Sequence, residues 1–200
     1  MGQLDMDYLL RDEVYNVDNP NLAIFYSAKE PLFELSNMCT GMPIKVECNG
    51  EKLIFNSSEA LYQACKYPPE LEVLPKSSNA TIANVRERII KAKTPMQAKM
   101  TQKCAKKFVR KDWEDIKIDV MLWVLKLKAR QHLRFAEVLC GTDNKIIVEK
   151  SKKDPFWGAV LAKDGTLKGK NVLGKLLMYV RSNIKEIITK PLEGNYLLGC

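Results

Sequence analysis

A chain of 200 residues and 22.8 kDa, 46% hydrophobic with ten glycines and nine prolines, has the composition of a globular protein with a sizeable core. It carries no apolar run of the roughly 18 to 20 residues that a membrane span needs, and its acidic N-terminus lacks the basic start and apolar stretch of a secretory leader, which points to a cytoplasmic protein, or a nuclear one in a eukaryote. The net charge of +8 is uneven: the first 20 residues hold five acids and one base, leaving +12 on the rest, and between Arg86 and Lys111 ten Lys and Arg face Glu87 alone, a field that suits phosphate-bearing ligands or nucleic acid and equally a solvated surface.

Residues 1–22 read as an acidic arm partly ordered by Tyr8, Leu9 and Leu10, residues 23–190 as one domain, and residues 191–200 as a tail. Ala23 to Ser27 is predicted as a short strand. Ile44 to Cys48 and Lys52 to Asn56 alternate around Asn49-Gly50, the strongest short hairpin signal. Ser57 or Ser58 then caps a helix that Pro68-Pro69 must end. After a polar stretch near Ser77 to Ala80, Ile82, Val85, Ile89 and Ile90 form a helical stripe. Thr94-Pro95 opens the next helix, with Met96, Met100, Cys104 and Phe108 as its apolar side. Asp112 opens a long helix carrying Ile116, Val120, Trp123, Val124 and Leu127, and Phe135 to Leu139 forms a shorter one. Lys145 to Glu149 is a strand, and Leu173 to Ile184 a final amphipathic helix. The sum is an α+β fold, mostly helical, with a small, largely antiparallel sheet.

Six cysteines without a CxxC pair, several inside predicted elements, fit free buried thiols better than a disulfide framework. His132 is the only histidine, so neither a His-rich zinc site nor a serine hydrolase with several candidate bases is supported, and no metal is expected.

Three segments place polar residues where core patterning does not require them. In SSEALYQACKY, Gln63 and Lys66 lie within roughly 40° of Glu59 around a helix, so a carboxylate, an amide and an amine share one face. An isolated pair at this spacing is also what a solvated face carries. In KKDPFWG, Asp154, Trp157 and Gly158 offer an aromatic plate beside a carboxylate, able to stack a base, although a Trp after a turn is often a core anchor. In KGKNVLGKLL, Lys170 and Asn171 precede a helix whose N-terminus, with the lysine, makes a phosphate site plausible; the strand and spacing of a Walker loop are absent.

Taken in order, FYSAKEPLFELSNM, the Ser58-Glu59 helix with Gln63-Ala64 and Lys66, Thr94-Pro95 with Ala98-Lys99, Arg110 to Trp113, IIVEKSKKDPFWG and KGKNVLGKLLMYVR resemble the NADAR family, also called YbiA-like, over roughly residues 23 to 184. The resemblance implies an N-glycosidase needing no cofactor, one that cleaves the bond between ribose C1 and an exocyclic amine. Its substrate would be ADP-ribose on guanine, free or carried on nucleic acid, or a phosphoribosylaminopyrimidine of the riboflavin pathway. It also implies that Glu59, Lys66 and Asp154 are catalytic. Asn37, Tyr62, Gln63, Trp157, Gly158, Lys170 and Asn171 would bind substrate. A non-catalytic module for ADP-ribose or nucleic acid is the alternative. Met38, Ala60 and Thr101-Gln102 stand where relatives often have an aromatic residue, a histidine and Gly-Arg, which leaves the proposed catalytic residues intact and the substrate open.

Overall fold

The computed structural model describes residues 4–26, 30–68, 82–103 and 105–199. The expected strand end at Ser27, the polar stretch Ser77 to Ala80, Cys104 and the side chain of Ile82 lie outside the described residues. The fold is α+β, and the chain divides into two compact units, each assembled from separated pieces: Met1–Ser36 with His132–Lys190, and Asn37–Gln131 with Pro191–Cys200.

The first unit is built on a five-stranded sheet in the order β1-β7-β6-β5-β2. Its strands are β1 (Glu13–Tyr15), β2 (Leu22–Phe25), β5 (Ile146–Ser151), β6 (Ala159–Leu161) and β7 (Leu167–Gly169). β2 runs parallel to β5 and β5 parallel to β6, while β7 is antiparallel to both β6 and β1. This sheet is therefore larger and more mixed than the sequence suggested. β5 carries Ile147 and Val148 in succession, both fully buried, the pattern of a strand covered on two faces. The helix α7 (Val172–Ser182) packs against it so closely that a Cβ on Gly174 would stand 2.2 Å from the Ile147 carbonyl oxygen. The final helix divides at Asn183, whose side-chain amide donates to the Tyr179 carbonyl at 2.8 Å, and α8 (Ile184–Thr189) follows. The acidic arm is part of this unit. Asp5 caps α1 (Met6–Leu10), Leu9 is buried, and β1 extends the sheet.

The second unit holds the hairpin of β3 (Ile44–Cys48) and β4 (Glu51–Phe55), joined by Asn49 and Gly50, both at positive φ as a type I′ turn requires. It also holds α2 (Ser58–Ala64), α3 (Ile82–Ile90), α4 (Pro95–Lys103) and α5 (Trp113–Gln131). Thr94 and Gln97 form a reciprocal cap on α4: the Thr94 hydroxyl accepts from the Gln97 amide at 3.2 Å, and Gln97 Oε1 accepts from the Thr94 amide at 3.3 Å. The expected methionine face of α4 is reversed. Met96 and Met100 are exposed and Pro95 and Ala98 are buried, because the small Ala98 lets α2 and α3 pack close. The helix ends at Lys103, and Phe108 sits in a separate 3₁₀ turn. The stripe on α5 is buried as predicted at Val120, Trp123, Val124 and Leu127. Cys39, Cys65 and Cys140 are free thiols, but Cys48 is disulfide-bonded, against the expectation of free thiols throughout. Among the described residues no helix is long and apolar enough to cross a membrane.

Candidate active site

The helix α2 starts where Ser57, in extended conformation, turns its hydroxyl to accept the Ala60 amide at 3.1 Å. That places Glu59 in the first turn, where the helix dipole favours a negative charge. Every residue of α2 is buried, including Glu59 at 6% exposure and Gln63 at 4%. A solvated charge pattern is thereby excluded for this face. Gln63 Nε2 donates to Glu59 Oε1 at 2.7 Å. The Glu59 amide donates to the Asn37 carbonyl at 3.3 Å, and Asn37 Nδ2 donates to Met121 Sδ at 2.9 Å. Asn37 Oδ1, Ser58 Oγ and Gln63 Oε1 are buried with no partner. A buried polar atom left unpaired costs about 1–3 kcal/mol; two of these three are on α2 and the third is on the residue whose carbonyl accepts the Glu59 amide.

Lys66 lies in the turn after α2, its amide donating to the Gln63 carbonyl at 3.3 Å. The half-buried side chain runs between two aromatic faces, with Nζ 5.1 Å from the Trp113 ring centre and 5.4 Å from that of Tyr62; the two rings meet edge to face at 5.0 Å. Among the described residues no carboxylate lies within ion-pair distance of it. Burial brings the Lys66 amine down to about 8, partly opposed by the nearby Glu59 and reinforced by Lys99. Trp113, which the sequence offered only as part of a motif, is thus a wall of the amine's site. Ser58 was likewise read only as a cap candidate. The available signal was KDW at the start of a helix, an aromatic residue in a turn otherwise filled with charge.

The other predicted residues belong to the first unit. Asp154 is exposed, and its Oδ1 accepts the amides of Phe156 and Trp157, each at 3.0 Å, a side-chain-closed turn that sets the loop. Trp157 is partly exposed and meets Phe156 edge to face at 5.0 Å. Gly158 is buried where a Cβ would fall 2.5 Å from the Glu149 carbonyl oxygen. The donors expected to face phosphate before α7 are already engaged. The amides of Lys170, Asn171, Val172 and Leu173 donate to the carbonyls of Pro155, Gly158, Phe156 and Trp157 at 2.6–3.1 Å. Lys170 Nζ donates to the Leu10 carbonyl at 2.8 Å and pairs with Asp12 at 3.3 Å. Asn171 is fully buried in left-handed conformation, its Oδ1 accepting from the Glu149 amide and its Nδ2 donating to the Ile147 carbonyl and the Tyr15 hydroxyl. These bonds give Lys170 and Asn171 a structural duty within the sheet and its N-terminal arm. No group of three His, Cys, Asp or Glu side chains among the described residues is arranged to hold a metal ion.

The acid is buried on α2 and the amine of lowered basicity follows in the turn after it, and residues 24–185 match the model of the NADAR domain family. The chain belongs to the NADAR family. It is 30% identical to the N-glycosidase YbiA of Shigella flexneri over 90% of this chain and 93% of the relative, and equally similar to the N-glycosidase YbiA of Escherichia coli K12. It is 31% identical to the chloroplastic riboflavin biosynthesis protein PYRR of Zea mays over 82% of this chain but only 25% of that longer protein. The NMR structure of E. coli YbiA superposes with a TM-score of 0.61 at 31% identity, covering 86% of this chain and 89% of the other. NADAR relatives named as N-glycosidases thus span nearly the whole chain, and the α+β architecture is theirs.

Proposed function

We propose that this NADAR protein is an N-glycoside hydrolase that uses Lys66 as an amine nucleophile and Glu59 as its proton carrier, acting on a ribose C1 bonded to an exocyclic amine. The observation that carries the reading is the half-buried Lys66 amine, held near pKa 8 between Tyr62 and Trp113 and at the end of the helix that buries Glu59. An amine with an ordinary lysine pKa is almost wholly protonated at neutral pH, and lowering it to about 8 frees roughly one-tenth of it for attack.

In the ring-opened form of the substrate the C1–O4 bond has broken, with O4 protonated and C1 doubly bonded to the exocyclic nitrogen. Neutral Lys66 adds to C1. The exocyclic amine leaves with a proton from Glu59, and a Schiff base to Lys66 remains. Water activated by Glu59 adds to C1, Lys66 departs as the amine, and O4 closes the sugar ring; the net change is hydrolysis. The unpartnered Asn37 Oδ1, Ser58 Oγ and Gln63 Oε1 accept from sugar hydroxyls or from the leaving amine. A direct attack by water, with Glu59 as base, is the competing route.

The substrate class that best suits the basic chain is a phosphorylated ribosylamine, either ADP-ribosylated guanine, free or on nucleic acid, or a phosphoribosylaminopyrimidine such as the riboflavin-named relatives suggest. Parallel incubation with ADP-ribosylated guanosine, ADP-ribosylated DNA and a ribosylaminopyrimidine phosphate, with mass detection of released base and sugar, tests this. Release of base from at least one is expected, with a borohydride-trapped adduct on Lys66. Turnover without an adduct would leave direct water attack. Binding without turnover on all three would make the protein a recognition module.

A further inference from the structure

Residues 191–199 follow the end of the family match at residue 185, yet the segment is packed into the same unit as Lys66. Leu197 and Leu198 are buried, at 5% and 0% exposure, in a 3₁₀ turn that spans Asn195–Leu198. The turn is held at its N-terminal end. Asn195 Nδ2 donates to the Glu47 carbonyl on β3 at 2.9 Å, and Gly194 lies on the Trp123 indole so closely that a Cβ there would stand 2.3 Å from Cδ1.

Two arginines connect this turn to the backbone around Lys66. Arg86, on α3 and 8% exposed, donates through one Nη1 to the Tyr67 carbonyl at 3.0 Å and to the Leu198 carbonyl at 2.7 Å. Arg110 donates its backbone amide to the Lys66 carbonyl at 3.0 Å and its Nη1 to the Leu197 carbonyl at 3.2 Å, while Asp112 holds the rest of the guanidinium through bonds of 2.7 and 2.8 Å. The carbonyls of residues 66 and 67 and those of 197 and 198 are therefore bridged pairwise, one bridge per arginine. Both arginines lie in the basic stretch that composition alone would assign to ligand binding or solvent.

We infer that the C-terminal turn is a strap that, through Arg86 and Arg110, fixes the backbone of Lys66 and Tyr67 and so keeps the Lys66 side chain in its aromatic slot. Without the strap, Arg86 loses the Leu198 carbonyl and Arg110 the Leu197 carbonyl, and the turn that carries Lys66 gains freedom to move its amine into water. The charged groups acting on Lys66 from its neighbours are Glu59 on α2, Lys99 on α4, Lys106 in the following 3₁₀ turn and Glu114 on α5, none of them in the strap. The strap therefore acts by position and burial and contributes no charge of its own through these contacts. The importance of Lys66 rests on the reading of the active site above, but its placement by the strap does not.

The test uses the full-length chain carrying Gly194→Ala, which both collides with Trp123 and disfavours the φ of 143° at that position. The reactivity of Lys66 is followed against pH by competitive acetylation and mass spectrometry, without substrate, and release of the strap is followed by hydrogen exchange of the amides of residues 195–199. Exchange in those amides should rise, and the midpoint of Lys66 labelling should move upward by about one unit, a tenfold fall in neutral amine near pH 7. Arg110→Lys, which keeps the charge but loses the fork, should move it the same way, and it serves alone if Gly194→Ala does not fold. A freed strap with an unmoved Lys66 midpoint would overturn the inference, as would an unmoved midpoint in Arg110→Lys. Because no turnover is read, a protein that proves inactive on every ribosylamine would refute the catalytic reading and leave this result standing.

Discussion

A lysine amine between two aromatic rings loses water on both sides and has only the diffuse attraction of the rings in return, so its charged form is disfavoured. This has two consequences with opposite experimental handles. For activity, the reactive species is the neutral amine, so kcat/KM should climb with pH and level off above about 8, the Lys66 value, instead of climbing toward 10.4 as an exposed lysine would. A pH–rate profile that is flat from 6 to 9 would remove Lys66 from the nucleophile's role. For stability the sign is the reverse of a salt-bridged lysine. The folded chain binds fewer protons at Lys66 than the unfolded chain between about 8 and the ordinary lysine value, so the contribution of Lys66 to stability becomes more favourable as pH rises through that window. Lys66→Met should lose this pH-dependent component, read as a flatter urea midpoint between pH 8 and 10.

Glu59 supplies the second residue-scale prediction. Glu59→Gln keeps the shape and still accepts from Gln63, while removing the exchangeable proton. Turnover should fall by about 10²–10⁴-fold with substrate binding changed little, measured by single-turnover kinetics and calorimetry. The spacing of Glu59, Gln63 and Lys66 was legible in the sequence because helical period alone sets it. The burial of the whole of α2 was not, since no property of SSEALYQACKY distinguishes a polar face turned to solvent from one turned inward. Trp113 is distant in sequence, and only tertiary structure brings it to Lys66.

At the scale of elements, α2 depends on its first hydrogen bond more than an exposed helix does. Ser57 is fully buried, so the Ala60 amide has no water to replace the hydroxyl it loses in Ser57→Ala. The expected cost is about 1–2 kcal/mol, seen as a lower urea midpoint at unchanged slope, with Glu59 displaced and turnover reduced beyond what stability alone explains. Caps and tight turns were the most legible features throughout: Ser57, Thr94-Pro95 and Asn49-Gly50 stand where the sequence placed them, because each follows from chemistry within four residues. Short and non-local elements were not legible. β1, β6 and β7 have three residues each, too few for alternation to register, and the parallel pairing of β2 with β5 joins segments far apart in the chain. The burial of Asn171 was not legible for a related reason: its side-chain amide satisfies the Glu149 amide and the Ile147 carbonyl, which are far from it in the chain.

For the molecule as a whole, the N-terminal residues pose the sharpest question, because composition separates them from the rest and the family match begins only at residue 24. Their packing argues that they are part of the first unit. Tyr15 joins Val148, Ala159 and Leu167 in a buried cluster, its hydroxyl receives the Asn171 amide at 3.3 Å, and burial raises it to about 12, so it remains a neutral phenol across the working range. Lys175, 2% exposed, donates to the carbonyls of Tyr8 and Arg11 at 2.9 and 2.8 Å, and so completes the arm's backbone hydrogen bonds from α7. If the arm were an appendage, Tyr15→Ala would cost no more than a surface substitution, within about 0.5 kcal/mol. If it closes the core, Tyr15→Ala should cost about 3 kcal/mol or more in urea unfolding, and Tyr15→Phe, which loses only a long hydrogen bond, about 1 kcal/mol or less. The second pattern is expected. A chain cut to begin at residue 23 should then expose the β7 edge that β1 now pairs and should unfold at lower urea than the full chain, although it contains the whole of the family match.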